Sequence, residues 1–224
     1  MKNKKQQRLR IAVDGPAASG KHTLARQIAK KYKLLHLDSG KLYRYFALQV
    51  YQTKGQKVNY TKLKQALKKL TLKKLKDKRL TSEPVTKIAS IISKIKKIRQ
   101  MLKKVQHDLA YNPPNKFKGS ILDGRDIGTV IMPDAHVKVY LTASLNVRAA
   151  RRYKEYKKMG VKTTLNKVKS DIKKRDYEDT HRKISSLKPA KDAVLLDSSF
   201  YNTRTAFVEI DEVIRKRIKL LNAT

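Results

Sequence analysis

Short apolar runs alternate along the chain with longer segments in which apolar residues recur every three or four positions. The runs lie at residues 9–13, 34–37, 120–122, 136–141 and 193–196. They predict five buried strands, and the periodic segments between them predict helices. Strands that alternate with helices are typical of an α/β protein with a mostly parallel sheet that is covered by helices on both faces.

Four of the predicted strands end in a polar turn that begins with aspartate. These turns are Asp14-Gly15, Asp38-Ser39-Gly40, Asp123-Gly124-Arg125-Asp126 and Asp197-Ser198-Ser199. In a sheet of this kind, ligands bind outside the carboxyl ends of the strands. The turns therefore predict a binding site for a nucleotide at this edge of the sheet.

The predicted helices fall into two groups. Three of them accompany the later strands, at about 145–158, 164–177 and 204–221. The others form a Lys-rich helical region at about 41–111, which is ended by Asn112-Pro113-Pro114. The last part of this region has an apolar stripe on one face, which we interpret as core or as the wall of a cleft. Its members are Ile88, Ile91, Ile92, Ile95, Ile98, Leu102, Val105 and Leu109.

The composition narrows the possible functions. The chain has 224 residues, which is typical of one or two domains, and it contains no cysteine. Disulfides, cysteine-ligated zinc and thiol nucleophiles are therefore excluded. No apolar run approaches the roughly 20 residues that a membrane span needs, and the run at 9–13 is too short for a signal peptide. We expect a cytoplasmic protein with no membrane partner.

The chain is strongly basic, with 55 Lys and Arg, 18 Asp and Glu and a formal net charge of +37. Such a charge predicts non-specific affinity for polyanions that falls with rising salt. Because the chain has no Trp and only four Phe, it offers little for base stacking. We interpret the charge as a Lys-rich solvated surface; a true nucleic-acid role and the binding of smaller anions are the alternatives.

The first predicted strand is followed by a glycine-rich phosphate loop and then by a helix. The loop and the start of the helix comprise Gly15, Pro16, Ala17, Ala18, Ser19, Gly20, Lys21, His22 and Thr23, which we predict to bind ATP. Successive backbone N–H groups and the helix N-terminus attract phosphate oxygens. Lys21 supplies a cation for the β- and γ-phosphates, and the two glycines allow close approach of the backbone.

The position after Lys21 is irregular. The general pattern has Ser or Thr directly after the lysine, whereas this chain has His22, and Thr23 follows one place later. Nucleoside-monophosphate kinases share this offset but usually have glycine where this chain has His22. A cationic imidazole would assist phosphate binding and a neutral one would crowd it, and the sequence leaves both alternatives open.

From about Arg10 to Ser199 the chain resembles the cytidylate kinases, the bacterial CMP/dCMP kinases. Beyond the phosphate loop, the resemblance is carried by residues 37–44, by residues 123–130 with 133–135 and 141–144, and by residues 175–182 with 187–193. The chain departs from the family pattern at His22, at Lys41, where the family has Ala, and at Ser185-Ser186, where it has Ala-Pro.

The resemblance implies a P-loop kinase fold, with a five-stranded mostly parallel sheet, a helical NMP-binding insertion and a short lid. The implied divisions are a core part with the phosphate loop at 8–40, the NMP-binding insertion at 41–118, a core part at 119–147, the lid with its flanking helices at 148–177, and a C-terminal core part at 178–224.

The resemblance also assigns roles to individual residues. The residues expected to bind CMP are Arg44 and Arg125 for the acceptor phosphate, Ser90, Arg99 and Asp126 for cytosine, and Asp179, Arg182, Ser39 and Arg175 for the pentose. Arginine forks bind phosphate in a bidentate manner. For Ser90 and Arg99, nine residues apart, a shared face requires a helix break or a long reach by the arginine. Plain surface arginines, a structural Asp126 and helix-surface ion pairs of Asp179 are the competing interpretations.

Arg148, Arg151 and Arg152 open the helix pair of the implied lid. In kinases of this fold, lid arginines neutralise charge on the transferring phosphoryl group. The residues expected to act in catalysis are Lys21, Arg125, Arg148 and Arg152.

The implied reaction transfers the γ-phosphoryl group of ATP to CMP or dCMP. We expect Mg²⁺ to enter with ATP, with Thr23 and Asp123 close by but with no dedicated metal ligand in the chain. His36, His107, His136 and His181 are expected to be structural. We expect a monomer with no specific nucleic-acid partner. The alternatives are a kinase for another monophosphate such as UMP, or a polyanion-binding P-loop protein in which His22 impairs phosphotransfer.

Overall fold

The computed structural model describes residues 8–52 and 58–223. The chain divides into two compact units, of which the first comprises the residues up to Leu37 and from Leu109 onward, and the second comprises Asp38–Asp108. Among the described residues, no helix combines the length and the apolar character that a bilayer crossing would require.

The first unit is built on the five-stranded sheet that the sequence predicts. The strands are β1 (Leu9–Asp14), β2 (Leu35–Asp38), β3 (Gly119–Gly124), β4 (Val137–Thr142) and β5 (Val194–Asp197), in the spatial order β2-β3-β1-β4-β5. β1 pairs in parallel with β3 and β4, and β4 pairs in parallel with β5. Helices lie on both sides of the sheet, so the predicted fold class is confirmed.

The helices of the first unit are α1 (Lys21–Tyr32), α6 (Leu145–Lys158), α7 (Leu165–His181) and α8 (Thr203–Ala223). Apolar residues of α1 and α8, such as Leu24, Ile28 and Ile210, join Ile11 and Val13 of β1 in one buried cluster. This packing fixes the start of α1 against the end of β1, which is where the phosphate loop lies.

The second unit contains α2 (Ser39–Gln52), α3 (Tyr60–Lys68), α4 (Glu83–Ile92) and most of α5 (Lys96–Tyr111). Two short 3-10 turns, Lys74–Lys76 and Lys78–Thr81, connect α3 to α4. The buried interior of this unit is apolar and includes Leu42, Phe46, Leu63, Leu80, Val85, Ile98 and Leu102.

The prediction of a single apolar stripe over Ile88–Leu109 is wrong in one respect. The helix ends at Ile92 and a new one begins at Lys96, and this interruption changes the direction of the side chains that follow. Ile92, Ile98 and Leu102 are buried, whereas Ile91 has 63% of its surface exposed. The stripe is therefore divided between two helices and is core only in part.

Candidate functional site

The phosphate loop connects the end of β1 to the start of α1. Gly15 has φ +150°, and a Cβ built there would lie 2.0 Å from the backbone oxygen of Leu141, so this position accepts only glycine. Gly20 has φ +95° and precedes the first residue of α1, and no side chain of the described residues caps that helix end. The N–H groups of the first turn thus remain available to an anion.

Lys21 is buried at the first position of α1. Its Nζ donates to the backbone oxygen of Pro16 at 2.5 Å and to Ser19 Oγ at 3.2 Å. Burial, together with repulsion from Arg125, lowers the pKa of Lys21 well below its ordinary value, although the nearby carboxylates of Asp123 and Asp14 act in the opposite direction. The ammonium group therefore folds back over the loop, close to other cations.

Two residues of α6 and α7 hold the phosphate loop in place. Asp176 on α7 accepts a hydrogen bond from the Ala17 backbone N–H at 3.3 Å. Arg148 on α6 donates to the backbone oxygens of Ala17 at 3.3 Å and Ala143 at 2.7 Å, and it forms an ion pair with Asp176. The sequence prediction included Arg148 but missed Asp176, although Asp176 lies within the Arg-Asp-x-x-Asp block that carries the resemblance.

The two other arginines of the expected lid differ in their surroundings. Arg151 donates to the backbone oxygen of Ser198 at 2.7 Å and to its Oγ at 3.0 Å, which connects α6 to the end of β5. Arg152, which the sequence places among the catalytic residues, pairs with Glu155 at 3.0 Å on its own helix. In this structure Arg152 lies in a helix-surface ion pair rather than over the phosphate loop.

Five predicted CMP-binding residues of the first unit form one charged cluster around Asp179. Asp179 Oδ2 accepts from Arg125 Nε at 2.8 Å and lies 4.0 Å from Arg175 Nε. Arg182 lies 3.5 Å from the other carboxylate oxygen of Asp179 and 4.0 Å from Asp126. The shortest of these contacts of the Asp179 carboxylate is thus with Arg125 from a distant part of the chain, and the helix-surface pair with Arg175 is longer.

The electrostatics of this cluster follow from its excess of cations. Burial alone would raise the pKa of Asp179, but Arg125, Arg175 and Arg182 outweigh burial and hold that pKa below its ordinary value. Burial likewise opposes the charge of Arg125, yet Asp179 raises the pKa of Arg125 above its ordinary value. Three arginines thus outnumber two carboxylates within the cluster, while Asp176 and Asp123 also act on Arg125. The feature that suits an anionic ligand is therefore the convergence of guanidinium groups.

Asp14 connects the end of β1 to the turn that follows β3. Its two carboxylate oxygens accept backbone hydrogen bonds from Ile127 at 2.8 Å and from Gly128 at 2.7 Å. Burial raises the pKa of Asp14 to about 6, even though both hydrogen bonds act to lower it. The sequence prediction did not assign this role, which fixes the polypeptide directly after Asp126.

A cluster of His22, His36 and Asp123 lies beside the start of α1. His36 Nε2 is 3.0 Å and His22 Nδ1 is 3.5 Å from the same oxygen of Asp123, and the two imidazole centroids are 4.9 Å apart. Burial would raise the pKa of Asp123, but the interactions with both histidines outweigh it and hold that pKa well below its ordinary value. His36 was expected to be only structural, because nothing in the sequence spacing connects it with His22.

In the second unit, Arg44 is oriented by residues at the start of α2. Its Nη2 donates to Asp38 Oδ2 at 3.0 Å, and its Nε donates to the backbone oxygen of Gly40 at 3.2 Å. Asp38 also accepts from the Lys41 backbone N–H at 3.2 Å. Ser39 is buried at the first position of α2.

Ser90 and Arg99 lie on opposite sides of the interruption between α4 and α5. The buried Arg99 donates to the backbone oxygen of Ser93 at 3.1 Å, and Ser93 Oγ donates to the backbone oxygen of Ser90 at 2.8 Å. A helix break was one of the two alternative conditions that the nine-residue spacing set, and the chain has such a break between Ile92 and Lys96.

Comparison with known proteins gives concordant results. The family model described as "Cytidylate kinase" matches residues 11–220. A protein named cytidylate kinase from Bartonella quintana is 43% identical over 215 residues, which cover 93% of this chain and 97% of that protein. One of the same name from Rhodospirillum rubrum is 40% identical over 189 residues, covering 84% and 89%. One from Streptococcus mutans is 39% identical and covers 85% and 89%.

A solved structure resembles the chain in its fold. It is that of an uncharacterized protein from Eubacterium ventriosum, with a TM-score of 0.55 and 13% sequence identity, covering 92% of this chain and 98% of that one. At this identity the likeness concerns the fold alone.

Proposed function

The chain belongs to the cytidylate kinase family and is an ATP-dependent nucleoside-monophosphate kinase that phosphorylates CMP and dCMP; from this premise we propose how its residues bring about the transfer. The observation that carries the proposal is the cluster of Arg125, Asp126, Asp179 and Arg182, of which Arg125 interacts electrostatically with Lys21 of the phosphate loop.

The donor triphosphate binds at the phosphate loop. The backbone N–H groups of residues 15–20 and of the first turn of α1 donate to its oxygens. Lys21 exchanges its contacts with Pro16 and Ser19 for the β- and γ-phosphates. Because Asp176 and Arg148 already fix the loop at Ala17, little conformational freedom is lost when ATP binds.

The acceptor phosphate binds the guanidinium groups of Arg125 and Arg44. Each of these side chains is oriented by a carboxylate, Asp179 for Arg125 and Asp38 for Arg44. A guanidinium that is already oriented presents its remaining N–H groups to a phosphate without further ordering. These residues therefore position the attacking oxygen and stabilise the charge of the transferring group.

The nucleoside binds the remaining members of the predicted set. Asp126 accepts a hydrogen bond from the exocyclic amine of cytosine, and Arg99 and Ser90 also contact the base. Uracil has a carbonyl where cytosine has the amine, so a buried Asp126 acceptor facing uracil would lose its donor. Asp179, Arg182, Ser39 and Arg175 bind the pentose.

The lid residues Arg148 and Arg152 act on the phosphoryl group when the lid closes. This role requires Arg152 to leave Glu155 and Arg148 to keep its contact with the loop. No strong general base is needed, because the acceptor phosphate is ionised at neutral pH. Positioning and charge stabilisation thus carry the catalysis.

Mg²⁺ is the proposed metal partner of ATP. The carboxylate of Asp123 and the hydroxyl of Thr23 supply oxygen donors near the start of α1, and oxygen donors are those that Mg²⁺ prefers. When bound, Mg²⁺ neutralises charge on the phosphate oxygens. We also propose that the protein acts as a monomer.

An acceptor panel tests the specificity. We expect ADP release with CMP and dCMP, and at least about tenfold lower kcat/KM with UMP, AMP and GMP, because each hydrogen bond lost at a buried acceptor costs roughly 1–3 kcal/mol. A preference for UMP would contradict the assigned role of Asp126.

Two lysine variants test the phosphate loop in the same assay, one in the loop and one as its matched control. Lys21→Ala should lose at least about 100-fold in kcat with CMP, because it removes a cation from the transferring phosphate. Lys30→Ala changes an exposed lysine on the same helix and should keep wild-type rates. Wild-type turnover by Lys21→Ala would refute the assigned ATP site.

A further inference from the structure

The cluster of His22, His36 and Asp123 is not explained by phosphoryl transfer. Its three side chains come from three neighbouring elements, the second residue of α1, the middle of β2 and the end of β3. The ATP and CMP sites proposed above need neither imidazole. The cluster also includes His22, the one residue of the phosphate loop that departs from the family pattern.

The geometry of the cluster is close to that of a metal centre. One potential ligand atom from each residue can be chosen so that all three lie within 4.8 Å of one another. In a tetrahedral zinc site with bonds of about 2.0–2.1 Å, neighbouring ligand atoms are about 3.3 Å apart. The separations of 3.0 Å and 3.5 Å between Asp123 and the two histidines lie on either side of this value.

The three side chains differ in their exposure to solvent, and this difference favours metal binding. Asp123 and His36 are held in place, with 6% and 15% of their side-chain surfaces exposed, whereas His22 is 48% exposed. The two inner ligands are therefore preorganised, and the more exposed side chain of His22 completes the set. Its exposure also leaves the fourth coordination position open to water.

The donor set selects the class of metal. Two imidazole nitrogens and one carboxylate suit Zn²⁺ and its neighbours among the transition metals, whereas Mg²⁺ prefers oxygen ligands alone. The surrounding charge works against any cation, because Lys21 interacts electrostatically with Asp123. Bonds to imidazole nitrogen compensate for this repulsion with Zn²⁺ but not with Mg²⁺ or Ca²⁺.

We propose that His22, His36 and Asp123 together bind one Zn²⁺ ion in the nucleotide-free protein. The metal binds the ring nitrogens that now face the carboxylate, and each imidazole keeps one N–H on its other ring nitrogen. A consequence, which rests on the proposed function, is that Zn²⁺ inhibits CMP phosphorylation in the presence of Mg²⁺, because it occupies Asp123 at the mouth of the phosphate loop.

Metal binding is tested directly on the untagged full chain after treatment with a chelator. Co²⁺ titration should give visible absorption typical of a low-coordinate site with imidazole ligands, saturating at one equivalent, and Zn²⁺ should displace it. Calorimetric titration with Zn²⁺ should give the same stoichiometry, with Mg²⁺ in large excess failing to compete. The absence of stoichiometric Zn²⁺ binding in the wild type would overturn the proposal.

Matched variants identify the ligands. His22→Gly introduces the residue usual in the related kinases, and His36→Gln keeps a hydrogen-bond donor toward Asp123; each should weaken Zn²⁺ binding by at least about tenfold. His107→Gln changes an exposed histidine of the second unit and should bind as the wild type does. Unchanged affinity in both His22→Gly and His36→Gln would refute the assigned ligands, and circular dichroism of each variant excludes misfolding as the cause of a loss.

The activity measurement separates this proposal from the proposed function. In the CMP assay with Mg²⁺, Zn²⁺ should inhibit the wild type and His107→Gln, and a chelator should reverse the inhibition. His36→Gln should have the same turnover with and without Zn²⁺ at that concentration. If no variant phosphorylates any monophosphate, the function is wrong, while the Co²⁺ and Zn²⁺ titrations still decide the metal site.

Discussion

Asp14 shows how a single buried carboxylate supports the site at a cost in stability. It fixes the backbone directly after Asp126 through its bonds to Ile127 and Gly128. Its pKa in the folded protein is about 6, above the ordinary value of 3.8, because burial disfavours the charged form. Between these two values the folded protein binds more protons than the unfolded chain, so this carboxylate lowers the unfolding free energy as the pH rises.

Asp14→Asn isolates this contribution, because asparagine does not titrate. We expect the unfolding free energy of the wild type, relative to that of Asp14→Asn, to fall by about 2 kcal/mol between pH 4.5 and pH 7. Urea unfolding of both proteins across this range measures the difference, and circular dichroism at pH 7 verifies that the variant is folded. A difference that rises with pH would mean that the folded protein stabilises the ionised form.

The residues of the site differ in how far the sequence could predict them. Lys21 follows from a local pattern, since strand, glycine loop and helix are contiguous. The hydrogen bond between Arg125 and Asp179 joins residues 54 positions apart, so spacing along the chain indicated only the longer contacts of Asp179 with Arg175 and Arg182. The approach of His36 to His22 depends on the order of β2 and β3 in the sheet, which no local pattern contains.

At the scale of elements, the glycines at the two ends of the phosphate loop are required for different reasons. Gly15 has no room for a Cβ beside the Leu141 backbone, whereas Gly20 has a positive φ but no atom closer than 3.9 Å to a built Cβ. We expect Gly15→Ala to destabilise the protein by roughly 3 kcal/mol or more and Gly20→Ala by about 1–2 kcal/mol. Thermal and urea unfolding of both variants measure the difference.

Gly160, at the end of α6, provides a matched control for these substitutions. It also has a positive φ, +72°, with nothing within 4 Å of a built Cβ. Gly160→Ala should therefore cost about as much stability as Gly20→Ala, and only Gly20→Ala should raise KM for ATP, because it alone distorts the phosphate loop. Equal stability of Gly15→Ala and Gly160→Ala would show that the contact with Leu141 is relieved by movement of the backbone.

The sequence predicted some helices and strands more accurately than others. All five strands and the helices α6, α7 and α8 lie within a few residues of the sequence prediction, because short apolar runs end in polar turns there. The region from 41 to 111 resolves into separate helices, and the interruption after Ile92 carries no glycine or proline that would mark it. There, tertiary packing of Ile92 and Ile98 decides where one helix ends.

At the scale of the whole molecule, the net charge of +37 is far larger than the site requires. Many lysines are exposed along α3, α5 and α6, and these three helices contain only two carboxylates, those of Asp108 and Glu155. A surface of this kind attracts the phosphates of any nucleic acid. It does not distinguish one base sequence from another. The phosphate loop, by contrast, selects its ligand by backbone geometry.

A rise in salt concentration should distinguish polyanion binding at the basic surface from nucleotide binding at the phosphate loop. We expect single-stranded RNA to bind at 50 mM salt and its affinity to fall by roughly 10³-fold at 200 mM, because counterion release governs the contact. Fluorescence anisotropy with oligo(A) and oligo(U) at several salt concentrations measures this slope, which should be similar for both. CMP-dependent ADP release at 200 mM salt should be unaffected by added RNA, because ATP and CMP are held by preorganised groups rather than by the surface field. Tight binding at 200 mM that distinguished the two RNAs would instead assign the basic surface a specific nucleic-acid partner.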